Sequence, residues 1–227
     1  MDAPKVDEIR TRYEVLLGRL RAAAEWNGHD PSKLRIVGVT KTHPVEVARA
    51  ALEAGIGILG ENRVQEAEPK VAALPHAEWH LIGHLQSNKA RRAVQAFTTI
   101  HSVDSQVLLD RLDSIAAEEG KALRLLLQVN VSGEAAKAGL APDAVASIRA
   151  PQHASLVGLM TIAPMDATPD EARAIFRSLS GLRDRLQDRI GVELPELSMG
   201  MSADADAAAA EGATLVRIGT ALFGPRG

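Results

Sequence analysis

Residues Ile36–Pro44 read IVGVTKTHP. A short apolar run rich in branched side chains, closing abruptly in a polar loop, marks a buried strand. The lysine at its end admits two readings. Long lysines commonly reach water from the end of an element, and a lysine held there can also be a nucleophilic amine. What decides the fold is that the unit recurs. Apolar runs follow at 56–60, 78–82, 98–102, 123–131, 155–160, 195–199 and 214–218, the first spanning 34–40. Helical patterns lie between them at 44–54, 61–73, 87–95, 104–119, 141–149, 168–188 and 203–211, with a short helix expected after Thr220. Strand–helix alternation argues for a parallel sheet. Eight such units point to a closed (β/α)8 TIM-like barrel. The alternative is an open doubly wound sheet, which the lack of a glycine-rich dinucleotide fingerprint after the first strand disfavours. Ahead of the first strand, Ile9, Tyr13, Leu16, Leu17, Leu20 and Ala24 recur at helical spacing, so residues 4–26 form an extra amphipathic helix outside the barrel.

The whole chain, 1–227, reads as one domain, because no linker or shift in composition divides it. The net charge of −3 provides no global field for nucleic acid. Cysteine is absent, which excludes thiolate chemistry and cysteine-bound metal. No apolar run approaches the ~18 residues of a membrane span, and MDAPKVDEIR lacks the apolar core of a secretory signal. A cytoplasmic protein is expected. His80 and His84 straddle a strand end without an accompanying carboxylate pattern, so no metal site is expected.

In a barrel, functional residues sit past the C-terminal ends of the strands. There the sequence places Lys41, then Glu61 and Asn62, then the loops 83–89, 101–104, 130–139 and 158–164. Glu61, Asn62, Asp104 and Ser202 each also read as helix caps, and Gly60, Gly83 and Gly139 as turn glycines. The last two loops say more. GMS (Gly200–Ser202) and IGT (Ile218–Thr220) combine glycine with hydroxyls after strands seven and eight, where barrels often hold phosphate. Ser202, Gly219 and Thr220 thus form a candidate phosphate cup across the mouth from Lys41. Lysine forms Schiff bases with aldehydes. An aldehyde with a phosphate at its other end describes pyridoxal 5′-phosphate (PLP).

The chain resembles the pyridoxal-phosphate homeostasis protein family over nearly its whole length. The resemblance rests on VGVTKTHP, GENRVQE, WHLIGHLQSNK, IHSVDS, VNVSGEAAKAG, GLMTIAP, SMGMSADAD and VRIGTALFG in that order. It implies a barrel like the alanine racemase N-terminal domain, with PLP joined to Lys41 and its phosphate held at Ser202, Gly219 and Thr220. Arg217 would face the pyridine nitrogen, and Asn62 with Met199 or Met201 would lie near the ring. The implied role is holding and distributing PLP, with effects on amino-acid and keto-acid balance and apo PLP-enzymes as possible partners, in a monomer without an established enzymatic activity.

The alternative is a PLP-dependent racemase-like enzyme, and a third reading is a Schiff-base aldolase acting on a phosphorylated sugar. Two features favour the carrier. A guanidinium can only donate, so Arg217 at the ring nitrogen would leave that nitrogen unprotonated and the ring a weak electron sink. Racemisation in the related barrel enzyme resembles two-base chemistry with a tyrosine opposing the lysine. The single tyrosine here, Tyr13, lies in the first helix. Arg217 has a plain structural reading as well, an arginine at the barrel rim paired with a carboxylate such as Glu211.

Overall fold

In a computed structural model, which describes residues 5–134 and 138–224, all eight expected strands are present and close into a parallel barrel in chain order. They are β1 (Arg35–Val39), β2 (Ile58–Glu61), β3 (Glu78–Leu81), β4 (Thr99–Val103), β5 (Arg124–Gln128), β6 (Ser155–Met160), β7 (Glu196–Ser198) and β8 (Leu215–Ile218). Closure is direct: Val37 of β1 lies in register with Arg217 of β8 and with Ile58 of β2. The expected start of the first helix at residue 4, part of VNVSGEAAKAG, and residues 225–227 lie outside the described residues.

The strands are apolar on the outward face, which the helices cover, and mix apolar and polar residues on the inward face. The outward residues pack under the helices α2 (Val45–Glu53), α3 (Val64–Ala73), α4 (Ala90–Ala96), α5 (Gln106–Glu119), α6 (Pro142–Val145), α7 (Pro169–Ile190), α8 (Ala205–Ala210) and α9 (Thr220–Phe223). The inward residues Val37, Ile58, Leu126, Met160 and Leu215 form a second, smaller cluster inside the barrel. Below it, toward the N-terminal ends of the strands, the interior is ionic. Glu196 accepts from Arg35 at 2.5 Å, from Arg124 at 2.6 Å and from Thr214 at 2.6 Å.

The extra helix is α1 (Val6–Trp26). It joins the outer layer against α8, α2 and α9. Ile9, Leu16, Leu20 and Ala24 are buried, each large one contributing roughly 1.5–3 kcal/mol. Arg10 donates to the Glu53 carbonyl and Arg12 to the Leu222 carbonyl, both at 3.0 Å, tying α1 to the ends of α2 and α9. Tyr13 is only partly buried, on this outer helix.

Helix boundaries follow local chemistry. Thr168 and Glu171 form a capping box at the start of α7, and Gly191 ends it at φ 66°. Several segments differ from expectation. The helix expected over 61–73 begins at Val64, because Glu61 closes β2. The helix expected over 87–95 opens with a 3₁₀ turn at Ser87–Lys89. The strand expected over 123–131 ends at Gln128: Val129 still donates to the Met160 carbonyl of β6, but Asn130 turns away and donates to the Leu140 carbonyl at 2.9 Å. The helix expected over 141–149 keeps one α-helical turn, Pro142–Val145, followed by short i→i+3 bonds at Ser147 and Ile148. The helix expected from residue 203 starts at Ala205, because Asp204 turns its carboxylate back onto the Met201 N–H at 2.6 Å.

Candidate functional site

The end of β1 and the end of β8 are neighbours, so Lys41 and the Gly219–Thr220 pair emerge side by side at the C-terminal mouth. A cavity of about 580 Å³ opens there. Lys41, Asn62, Met201, Ser202, Arg217, Gly219 and Thr220 all line it, with Ile162, Pro164 and Met165 forming one lip. Met199 does not line it. Alternation along β7 sends Ser198 into the barrel and Leu197 and Met199 outward into the helix-covered core, where Met199 is fully buried. Gly200, at φ 89°, then redirects the chain, and its carbonyl accepts from the Arg217 N–H at 3.0 Å. Met201 reaches the cavity from that turn.

The backbone around Lys41 is held from outside the barrel. Thr42 sits at φ 65°, a left-handed conformation unusual for a branched residue. The Glu66 carboxylate accepts its N–H, and Lys70 Nζ donates to the Thr40 carbonyl at 2.9 Å. Glu61 is fully buried and accepts from Lys70 and from the Thr40 hydroxyl, both at 2.7 Å. It is therefore a hub of this loop rather than a helix cap. Burial raises the Glu61 carboxyl above its ordinary value, against the pull of Lys70 and Thr40. The signal for this clamp was present in sequence as Glu66 and Lys70, four apart on one helix face, but nothing local tied them to Thr40.

Arg217 is 4% exposed. Nη1 donates to Ser198 Oγ at 2.6 Å and Nη2 to the Thr161 carbonyl at 2.9 Å. The rim pairing with Glu211 is not formed: Arg173 and Arg177 take that carboxylate, each at 2.7 Å. Burial brings the Arg217 guanidinium down to about 10, partly offset by the Asp204 charge, which leaves it cationic at neutral pH.

Ser202 and Thr220 are exposed at the cavity wall. Neither Ser202 nor Asp104 caps a helix; α5 is capped by Ser105, which accepts from Leu108 N–H at 3.2 Å. Two carboxylates share the wall near Ser202, yet both are engaged. Asp204 holds the Met201 N–H and Asp206 pairs with Arg19 at 3.1 Å.

Asn62 faces Gly83, where a Cβ would stand 2.3 Å from the Asn62 carbonyl oxygen, so Gly83 serves close approach. Its side-chain Oδ1 is buried without a hydrogen-bond partner. Gly60 lies within β2 rather than in a turn, and a Cβ there would press on Val37 Cγ1 at 2.8 Å. His84 pairs with Asp104 at 3.3 Å on the rim, while His80 is buried inside the barrel. Among the described residues no group of three His, Asp or Glu could hold a metal ion. Nor is any described helix long and apolar enough to cross a membrane.

The alanine racemase N-terminal domain family matches residues 21–227. A pyridoxal phosphate homeostasis protein of Aquifex aeolicus is 40% identical over 222 residues, covering 95% of this chain and 97% of the relative. The protein of that name from Pseudomonas aeruginosa is 42% identical over 224 residues, 96% of each chain. Among solved structures, PipY of Synechococcus elongatus with PLP bound is similar at a TM-score of 0.80 and 42% identity, over 92% of this chain and 99% of that one. An alanine racemase of Clostridium difficile is similar at a TM-score of 0.69 and 18% identity, over 91% of this chain and 58% of its own, a likeness of fold alone.

Proposed function

The chain belongs to the pyridoxal phosphate homeostasis protein family, and from that premise we propose that it holds PLP in the mouth of its barrel and distributes it. The observation that carries this reading is one cavity of about 580 Å³ with a lysine amine, a buried cation and a hydroxyl–glycine wall facing the same space. That volume suits a small cofactor.

The residues present fit the group. Lys41 supplies the amine for the aldehyde. Ser202 and Thr220 hydroxyls, with N–H groups around Gly219, suit the phosphate, since the nearby carboxylates are engaged elsewhere. Arg217, a buried cation whose side-chain hydrogen bonds go to a hydroxyl and a carbonyl, suits an accepting ring nitrogen. Asn62 and Met201 line the same space and suit the flank of the ring. Met199 acts only through the packing behind that wall. Bound PLP brings an electrophilic aldehyde and an electron-withdrawing ring. A donor at the nitrogen keeps that ring from becoming a strong electron sink, which suits storage over turnover.

The working form is a single domain over 1–227, a cytoplasmic monomer that hands PLP to apo PLP-enzymes and so bears on amino-acid and keto-acid balance. A visible absorption spectrum tests the reading. Purified protein given PLP gains a yellow band that Lys41→Ala abolishes. No band in the wild type overturns PLP binding, and amino-acid racemisation by the loaded protein would replace the carrier with an enzyme.

A further inference from the structure

A line of buried polar side chains crosses the barrel from the end opposite the mouth. Glu78 opens β3 with its side chain 36% exposed. Its Oε1 lies 2.9 Å from His80 Nε2. His80 Nδ1 lies 2.8 Å from His101 Nε2, and His101 Nδ1 lies 2.8 Å from Ser198 Oγ, across the barrel on β7. Ser198 Oγ accepts from Arg217 at the cavity wall.

Resting on the PLP reading, we propose that the chain Arg217–Ser198–His101–His80–Glu78 is a one-directional hydrogen-bond relay that positions the Arg217 guanidinium as a fixed donor toward the ring nitrogen of PLP.

The direction follows from the two ends. A guanidinium only donates and a carboxylate only accepts. Ser198 Oγ accepts from Arg217 and has room to accept again, so the Glu78 end fixes the rest. With both rings neutral, His80 donates to the carboxylate through Nε2, His101 must donate through Nε2 to His80 Nδ1, and Ser198 gives its own proton to His101 Nδ1. Every ring nitrogen is used once, and both rings are neutral. The environment agrees. Burial lowers both imidazoles, His101 well below its ordinary value, and the bond from His80 lowers the Glu78 carboxyl. Arg124 lies 3.8 Å from Glu78, while Arg35 and Arg124 are both engaged by Glu196, so the carboxylate end stays in an ionic setting. Ser198, His101 and His80 are positioning residues that act on the ligand only through Arg217.

Two measurements decide the matter. Nitrogen-15 NMR of the ligand-free full chain at neutral pH should find both imidazoles neutral and protonated on Nε2; a charged ring, or an Nδ1–H ring at either position, overturns the relay. PLP titration of Ser198→Ala and His80→Leu should show each binding about fivefold more weakly. These residues do not touch, so independent effects would multiply in the double variant. The relay predicts a double variant no weaker than the worse single, and recovery in Ser198→Thr, which keeps the hydroxyl. Multiplying effects, or wild-type affinity in both singles, overturn it. Thermal melts check folding, and His80→Gln replaces His80→Leu if the latter does not fold. Absence of a PLP band in the wild type would overturn the PLP reading and the relay's ligand with it, while the NMR result still decides the relay itself.

Discussion

Lys70 Nζ donates to the Thr40 carbonyl at 2.9 Å, so a residue of α3 grips the peptide next to Lys41. The same ammonium pairs with the fully buried Glu61 at 2.7 Å. Removing one partner of a buried pair leaves the other charge uncompensated. Lys70→Met should therefore destabilise the fold by about 3 kcal/mol and weaken PLP retention by loosening the Lys41 loop. Adding Glu61→Gln should restore part of the stability. Denaturant titrations of the single and double variants check this; a Lys70→Met protein of wild-type stability would remove the clamp from the account.

Lys41 should be the residue joined to PLP. Borohydride treatment of the loaded protein, followed by peptide mapping, should place the pyridoxyl label on the peptide containing Lys41. Lys89, in the short 3₁₀ turn after β3, is a useful contrast because it does not line the cavity. A label there would move the site.

Ser202→Ala removes one hydroxyl donor from the wall assigned to phosphate. A hydrogen bond to a charged group contributes about 1.5–3 kcal/mol, so PLP retention should fall by roughly tenfold to a hundredfold. Pyridoxal lacks the phosphate and should be affected much less. Parallel titrations with the two ligands make the comparison, and equal losses would count against Ser202.

Glu196 should govern part of the acid stability. Burial alone would raise its carboxyl, but Thr214, Arg35 and Arg124 hold it below its ordinary 4.5. As pH falls, the unfolded chain therefore takes up this proton first. The stabilisation is complete above about 4.5, the unfolded value, and is lost as pH drops through the lower folded value. Glu196→Gln should flatten the acid limb of stability against pH. Unfolding free energies measured from neutral pH down to pH of about 3 would show it; an unchanged slope would remove Glu196 from the acid response.

Much of this was legible along the chain. Each barrel unit repeats a local pattern, so eight strands and the outer α1 could be read from apolar periodicity, while closure in chain order rested on the number of units and the missing dinucleotide fingerprint. Lys41 and the Ser202 and Thr220 loops could be placed at the mouth because strand ends in a parallel barrel all face one way. Local pattern also explains the limits. Where a strand leaves its ladder depends on its neighbour, so β5 stops at Gln128 and Asn130 donates to Leu140 instead of continuing along β6. Which of Met199 and Met201 meets the cavity depends on where the alternation of β7 ends, at Gly200. Asp204 was read as part of a helix, but its carboxylate found the Met201 N–H.

The sequence by itself determined the repeating strand–helix architecture and the residue types at the mouth, because those rest on contacts between near neighbours. Tertiary structure alone decided the partners of the buried charges. Glu61 meets Lys70, Glu211 meets Arg173 and Arg177, and Arg217 meets Ser198. Ser198 and His101 stand 97 positions apart on opposite sides of the barrel and touch only because it closes. A buried polar group must find some partner, but which one it finds is set by the geometry of closure, and no stretch of sequence carries that geometry alone.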